Sequence, residues 1–393
     1  MKAMSNKMRL FIPCYYAFLT NGMMALVVGA VLPYLIEEAG ISYSVAGGFL
    51  SAFAIGNLLA SFVNPIIAAK LGQKRTISLL SILVPLSLFV VTLLPPIGVM
   101  YIVFILLGIG RGSVSITNNM VVNDYDGSPL ALNLLHTVFA VGAFLAPFLT
   151  SVYISQGFNW RAVIYTIVIL SATSCVGYWT MPLVDQRKEK TVKAKEKNQG
   201  KTFMKNADFY LIGGVLFFYL GVENCVNGWF VTYFKSIGVM SDAYATNLVS
   251  ITWVVIMLGR LCTGYLSKRI SGQKLILINC ICTAIFFVLL IATTNLSVIT
   301  IAVVGLGFFF AGIYPTGVAN GGKLIKGSTT GMSILLAMAA LGGIITPQIV
   351  GFLGDAIGMT GAIVFLIVNI TMMIVLAFIS DRRARKLEQV TSM

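Results

Sequence analysis

The sequence predicts an all-α membrane protein with 12 transmembrane helices in two six-helix, pseudo-symmetric halves. Three observations lead to this fold class: the composition, the length of the apolar segments, and a polar stretch at mid-chain. Of the 393 residues, 58% are apolar and 10% are charged, whereas soluble domains are about 45–50% apolar and about 25% charged. This composition excludes a water-soluble globular fold and a disordered chain.

The apolar segments have the length of membrane-spanning helices. Such a helix needs about 20 apolar residues to cross roughly 30 Å of hydrocarbon. Twelve segments meet this requirement in chain order, at 10–36, 43–69, 76–95, 98–121, 130–153, 162–183, 209–234, 243–266, 275–294, 297–320, 329–352 and 360–380. These spans use most of the chain, and their continuous apolar runs differ from the alternating pattern of membrane β-strands.

A charged stretch after the sixth span divides the chain into an N-terminal half (1–184), a cytoplasmic linker (185–207) and a C-terminal half (208–393). An internal repeat supports this division. The tripeptide Gly-Gln-Lys follows the second span at 72–74 and the eighth span at 272–274, an offset of 200 residues. Gly40 and Ser42 likewise resemble Gly238 and Ser241. Two repeats of six spans are typical of transporters whose site lies at the midplane between the halves.

The distribution of Lys and Arg between the loops predicts the orientation of the chain in the membrane. The chain carries 27 Lys and Arg against 13 Asp and Glu, an excess that in a soluble protein would indicate nucleic acid. If the N-terminus is cytoplasmic, 23 of the 27 fall in cytoplasmic segments and only Arg161 and Lys235 fall outside. We therefore expect both termini in the cytoplasm, a bacterial plasma membrane, and no nucleic-acid partner. The remaining two cations, Arg111 and Arg260, lie within spans.

No enzyme site, cofactor site or metal site is evident. The six cysteines all lie in apolar stretches and are predicted to be small buried side chains, and the one histidine leaves no zinc-ligand spacing. Phosphate loops, paired carboxylates and nucleophile triads are missing from the pattern. Gly108 and Gly110 are predicted to be packing glycines, since no strand precedes them.

Glu223 is the foremost candidate for function, because it is the only acid deep within a span. Asn224 follows it, and Asn227 lies on the same helix face at i+4. A carboxylate beside amides can bind hydroxyl groups, and a carboxylate in apolar surroundings can take up a proton. The alternative is a structural Glu that ties its helix to a neighbour.

Three further polar side chains in the spans are functional candidates, because polar groups in lipid need a partner or a water-filled cavity. His136 can bind a ligand or relay protons, or it can be a packing histidine. Arg111 can pair with an acid such as Asp124, Asp126 or Glu223, or it can contact substrate. Arg260 is expected to be structural, with its head group reaching towards the interface.

Amides in the first, second and fourth spans complete the candidates: Asn21, Asn57, Asn118, Asn119 and Asn123. Amides in spans can bind a ligand or hold helices together. We select Asn21, Asn118 and Asn119 for the substrate site.

Several of these segments resemble the bacterial fucose–proton symporter family of the major facilitator superfamily. Four stretches carry the resemblance: Gly108-Ile109-Gly110 through Asn118; Leu132 to Thr137 with Gly142-Ala143; Tyr219 to Trp229; and Tyr314-Pro315-Thr316 with Gly342 to Pro347 and Gly351 to Asp355. The resemblance implies sugar uptake by alternating access. His136 and Glu223 each stand where the fucose carrier has a Gln.

The chain departs from this family at its acids. Gly29 and Ser113 stand where the fucose carrier has acids in the first and fourth spans. In the loop after the second span, Ala69 stands where the superfamily usually has Asp, while Gly72, Lys74 and Arg75 keep the basic end of that motif. Proton coupling is therefore implied by the resemblance rather than by retained acids, and Glu223 and His136 are the candidates to carry it.

The sequence thus favours a monomeric secondary transporter of a monosaccharide or related polyol, with a proton as the expected coupling ion. Sodium coupling and uniport remain open. The alternatives are an exporter of drugs or metabolites, an organic-anion carrier that uses Arg111, and a membrane receptor or scaffold that transports nothing.

Overall fold

The structure is a computed structural model that describes residues 2–126, 129–183, 202–325 and 328–391. Its α-helices are α1 (Lys2–Ala39), α2 (Tyr43–Leu71), α3 (Gln73–Leu80), α4 (Leu83–Thr92), α5 (Ile97–Tyr125), α6 (Pro129–Ser155), α7 (Arg161–Thr180), α8 (Ala207–Ser236), α9 (Asp242–Leu266), α10 (Gly272–Ile291), α11 (Leu296–Phe310), α12 (Ile313–Ile325), α13 (Thr329–Val364) and α14 (Leu366–Thr391). A short 3₁₀ helix, Thr202–Lys205, precedes α8.

Within the described residues, eleven helical segments are long and apolar enough to cross a membrane, and they coincide with the first eleven predicted spans. The third span is α3 followed by α4, and the tenth is α11 followed by α12. The chain is therefore a multi-pass, all-helical membrane protein, as predicted. The twelfth predicted span, in α14, is not among these eleven segments. Its apolar part is followed directly by the charged residues Asp381, Arg382 and Arg383, so α14 alone is too short an apolar helix.

The twelfth span begins inside α13. Gly358 has a φ of 80° and a ψ of 160°, which breaks the helical conformation there and separates two helices. The second of these continues into α14, and residues 359–380 contain no charged side chain. This stretch matches the span predicted at 360–380.

Turns repeat along the chain at the predicted offset. Gly40 and Gly238 both adopt a positive φ, 60° and 66°, and each precedes a helix capped by a serine hydroxyl. Ser42 accepts from the backbone of Val45 at the start of α2, and Ser241 accepts from the backbone of Tyr244 at the start of α9. The two halves thus share turn geometry as well as sequence.

The closest helix contacts repeat in the same way. A Cβ on Gly142 would meet the carbonyl oxygen of Leu19, so α1 and α6 pack backbone to backbone. About 200 residues later, a Cβ on Gly342 would meet the carbonyl oxygen of Phe217, so α8 and α13 pack equally closely. Small residues allow this approach between membrane helices. The interpretation of Gly108 as a packing glycine is also confirmed, since its Cβ would meet the carbonyl oxygen of Phe53.

The chain divides into two compact units. Among the described residues, the first unit comprises those in 1–189, 227–235 and 241–250, and the second those in 190–226, 236–240 and 251–393. Most of the predicted linker, up to residue 201, lies outside the described residues, so the boundaries at 184 and 208 remain a prediction.

Ion pairs hold the loop ends of the helices. In the first unit, Arg161 pairs with Glu38 at 2.7 Å and donates to the carbonyl of Thr92 at 2.8 Å. Lys235 pairs with Asp242 at 2.7 Å. In the second unit, Arg383 pairs with Asp208 at 2.7 Å. The two cations predicted to be external are thus both fixed by carboxylates.

Many large apolar side chains are exposed, as expected of lipid-facing helices. Phe62, Ile102, Leu261 and Phe352 are each 58–68% exposed. Four of the six cysteines are buried, but Cys262 and Cys282 are only half-buried. The prediction that all six are buried was therefore wrong for these two. A small apolar thiol gains no stability from burial away from lipid, so a partly exposed helix position suits it.

Candidate functional site

Arg111 lies among α2, α5 and α6 in the first unit. Its Nη1 donates to the Asn57 side-chain oxygen at 3.0 Å. Its guanidinium carbon lies 5.7 Å from the ring centroid of Phe53 and 5.9 Å from that of Phe139. The charge is therefore held by an amide dipole and the faces of two aromatic rings, which stabilise a desolvated cation.

The same aromatic group reaches His136. Phe18 on α1 packs against Phe139, with ring centroids 5.7 Å apart, and against the His136 ring in an edge-on arrangement at 5.6 Å. We call these residues the Arg111 cluster: Phe18, Phe53, Asn57, Arg111, His136 and Phe139. The cluster combines a cation, an amide and an imidazole with three aromatic rings inside one unit. Phe18 is fully buried, whereas the His136 side chain is exposed.

The three predicted amides of the first unit lie elsewhere. Asn118 is buried and accepts a hydrogen bond from the Tyr178 hydroxyl at 2.9 Å. Asn119 donates to the carbonyl of Ser115 in its own helix at 2.9 Å. Asn21 is 3% exposed and lines a small cavity with Tyr178. Asn118 is therefore joined to α7, and Asn119 is engaged with its own helix.

Glu223 lies in a second group of side chains, in the second unit. The hydroxyl of Tyr219, one turn earlier on α8, donates to Glu223 Oε1 at 3.3 Å. The Tyr219 ring stacks on Phe310 at 4.3 Å and lies 5.8 Å from the ring of Tyr314. We call Glu223, Tyr219, Phe310 and Tyr314 the Glu223 cluster. Glu223 is half-buried, so its carboxylate is neither sealed in the core nor fully exposed.

Arg260 and the amides after Glu223 have different surroundings. Arg260 on α9 lies close enough to Tyr219 for an electrostatic interaction, and Glu223 also interacts electrostatically with Tyr219. Asn224 donates to the carbonyl of Gly343 at 2.9 Å and so joins α8 to α13. The backbone oxygen of Asn227 lies where a Cβ on Gly29 would be, in the first unit.

This last contact explains one departure from the fucose carriers. Gly29 stands where those carriers have an acid, and its Cβ position is filled by the backbone of Asn227 and Gly228. An acidic side chain has no room there. Ser113, at the other departure, is completely buried.

Within the first unit the structure connects two predicted residues, Arg111 and His136, through the rings of Phe139 and Phe18. The structure also adds partners that the sequence analysis did not place in the site. These are Asn57, Phe53 and Phe139 in the Arg111 cluster, and Tyr219 and Tyr314 in the Glu223 cluster. The sequence spacing could have indicated two of these partners. Phe139 follows His136 by three residues and Tyr219 precedes Glu223 by four, and both spacings place the two side chains on one helix face. Among the described residues, no group of three His, Cys, Asp or Glu side chains could hold a metal.

An all-helical membrane chain with polar clusters inside its spans is typical of membrane transporters. The family model for the Major Facilitator Superfamily matches residues 14–347. The chain therefore belongs to this superfamily, and it is a transporter rather than an enzyme.

Curated relatives resemble the chain over most of its length. The glucose/mannose transporter GlcP of Bacillus subtilis (strain 168) is 26% identical over 86% of this chain and 86% of its own. The hexuronate transporter of the same organism is 23% identical over 90% of this chain and 89% of its own.

Solved structures share the fold at lower identity. The nucleoside transporter NupG has a TM-score of 0.77 at 16% identity and covers 96% of this chain and 98% of its own. A D-xylose-proton symporter has a TM-score of 0.73 at 14% identity and covers 95% of this chain and 96% of its own. At these identities the likeness supports the fold alone.

Proposed function

We propose that this chain is a secondary active transporter of a small neutral solute, a monosaccharide or related polyol, that works by alternating access with a proton as coupling ion. The observation that carries the substrate class is the Arg111 cluster. Guanidinium and imidazole groups can donate hydrogen bonds to hydroxyls, and an amide can both donate and accept. Aromatic rings offer an apolar plane to the face of a sugar. The relative that transports glucose and mannose supports this class.

The substrate class is tested by counterflow, in which proteoliposomes loaded with unlabelled solute exchange it for label outside. A panel of hexoses, pentoses, polyols and hexuronates is used. We expect exchange of a neutral sugar, and we expect Arg111→Gln to weaken its apparent affinity. A panel in which chemically unlike drugs exchange and no sugar does would contradict the proposal and favour an exporter.

A second candidate function, organic-anion transport, is favoured by one observation. The intramembrane guanidinium of Arg111 donates a hydrogen bond to a neutral amide oxygen, that of Asn57. Such a cation can bind a substrate carboxylate through two parallel hydrogen bonds, and one relative is a hexuronate transporter. The same counterflow panel separates the two functions, because an anion carrier would exchange hexuronates and lose all exchange in Arg111→Gln.

For proton coupling we propose Glu223. Its carboxylate is half-buried, accepts a hydrogen bond from the Tyr219 hydroxyl and lies close enough to Tyr314 for an electrostatic interaction. A carboxylate in this setting can exchange a proton during the transport cycle. The experiment adds sugar to vesicles that contain a pH-sensitive dye. We expect sugar-induced proton movement in the wild type and in Glu37→Gln, an exposed control at the end of α1, and none in Glu223→Gln. Proton movement that persists in Glu223→Gln would remove this role.

A further inference from the structure

One face of α14, in the second unit, carries an exposed apolar stripe that ends in two cations. Its apolar side chains follow one another at helical spacing and are 37–48% exposed: Val368, Met372, Val375, Phe378 and Ile379. Arg382 follows Phe378 by four residues and Lys386 follows Arg382 by four, so both continue the same face, and both are exposed. We call these seven residues the α14 stripe. Because Ile370, Met373 and Ala377 on the other face are buried, the stripe points away from the protein, towards lipid.

The apolar part of the stripe has the length of one leaflet of a membrane. From Val368 to Ile379 the helix rises by about 16 Å, and half of the hydrocarbon core of a bilayer is about 15 Å thick. Arg382 and Lys386 come directly after this part. They therefore lie at the depth of the lipid phosphates, and the apolar side chains lie at the depth of the acyl chains.

Two other cations at this end of α14 are neutralised by the protein itself. Arg383 pairs with Asp208 at the start of α8, at 2.7 Å. Arg385 pairs with Asp381, which is buried, at 2.6 Å. These two arginines are thus fixed by carboxylates of the second unit and leave little charge for an external partner.

Arg382 and Lys386 have no such carboxylate. Among the described residues, no acidic side chain forms an ion pair with either of them. The guanidinium carbon of Arg382 lies 4.7 Å from the ring centroid of Phe378, which holds the cation at the lipid-facing surface. Contact with a ring face leaves the N–H groups at the edge of the guanidinium available, and two of them can bind the oxygens of one phosphate.

We propose that the α14 stripe binds an anionic phospholipid, with the phosphate on Arg382 and Lys386 and the acyl chains along the apolar side chains. Two cations without a paired acid favour a headgroup of net negative charge, because Lys386 would repel the ammonium group of a zwitterionic lipid. This inference goes beyond the proposed function, because it identifies a lipid partner whose binding requires no sugar.

The test measures, by native mass spectrometry, the lipid retained by the purified full-length protein in a neutral detergent without any sugar. Phosphatidylglycerol and phosphatidylcholine with the same acyl chains are titrated separately. We expect the wild type to bind phosphatidylglycerol more tightly than phosphatidylcholine. The double variant Arg382→Gln/Lys386→Gln should lower the affinity for phosphatidylglycerol by about tenfold or more and leave that for phosphatidylcholine unchanged.

A matched control removes the same charge elsewhere in the second unit. Arg269 is also an exposed arginine beside an aromatic ring, that of Tyr265, at 5.8 Å. Lys268 and Arg269 are neighbours in the sequence, beyond the end of α9, so they do not share a helix face as Arg382 and Lys386 do. We expect Lys268→Gln/Arg269→Gln to bind phosphatidylglycerol as the wild type does.

Three results would overturn the proposal. Equal wild-type affinities for the two lipids would show that the stripe does not select an anionic headgroup. Equal losses in the two double variants would show a general effect of charge. Displacement of phosphatidylglycerol by an equal concentration of glycerol 3-phosphate would show a site for a soluble phosphate compound instead of a lipid. If Arg382→Gln/Lys386→Gln does not fold, Lys386→Gln alone, at an exposed position, is compared with Lys268→Gln in the same way. A failure of sugar transport would leave all of these outcomes unchanged.

Discussion

At the scale of single residues, the chemistry depends on a few polar groups, of which some have partners far along the chain and others have partners in their own helix. Arg111 is held by Asn57, 54 residues earlier, and Glu223 by Tyr219 within the same turn. The sequence could identify Arg111, His136 and Glu223 as candidates, because polar groups in membrane spans are rare. It could not pair Arg111 with Asn57, since that pairing depends on how α2 and α5 pack.

The Arg111–Asn57 contact predicts coupled mutational effects. We expect Asn57→Leu to reduce sugar exchange almost as far as Arg111→Gln, because the guanidinium loses the amide acceptor of Asn57 in an apolar environment. The double variant should be little worse than the more damaging single variant, which corresponds to a coupling of about 0.5–3 kcal/mol. Counterflow rates for the four proteins give this number. Fully additive losses would show that the two side chains act independently.

At the scale of elements, the predicted spans match the helices, but the breaks within them do not follow from the sequence. The third span is interrupted at Ser81 and Ile82, which keep helical dihedral angles, and neither residue signals a break. The turn at Gly358, by contrast, lies in the gap predicted between the spans at 329–352 and 360–380. Packing decides the break in the third span, and periodicity alone does not report packing.

Backbone contact between helices predicts which glycines resist substitution. We expect Gly142→Ala and Gly342→Ala to be destabilising by about 1–3 kcal/mol, because the new Cβ would meet the carbonyl oxygens of Leu19 and Phe217. Their matched controls are Gly98→Ala and Gly264→Ala, where no atom lies within 4 Å of the new Cβ. Thermal unfolding followed by tryptophan fluorescence compares the four. Equal melting temperatures in each pair would contradict the close approach.

At the scale of the whole molecule, charge and repetition define the architecture. The net charge of +14 could have indicated a nucleic-acid partner, but its distribution along the chain predicts orientation instead. The fold class was predictable because membrane spans and an offset of about 200 residues are properties of the chain as a whole. The substrate was not, because it depends on how side chains from several helices combine.

The predicted orientation places both termini in the cytoplasm, with Arg161 and Lys235 outside. We expect a fluorescent protein fused after residue 393 to fluoresce in a bacterial host and alkaline phosphatase fused there to be inactive. Phosphatase fused after Phe158, next to Arg161, should be active because that loop is predicted to be external. An active phosphatase at the C-terminus would reverse the orientation.

The central claim is that the chain moves a neutral sugar with a proton. It is tested most directly by uptake of labelled hexose into proteoliposomes under an imposed pH gradient, acidic outside, in sodium-free buffer. The account predicts accumulation above the external concentration, its collapse on adding a protonophore, and simple equilibration when no gradient is imposed. Equilibration with the gradient in place would contradict proton coupling, and the absence of flux for every neutral sugar would contradict the substrate class.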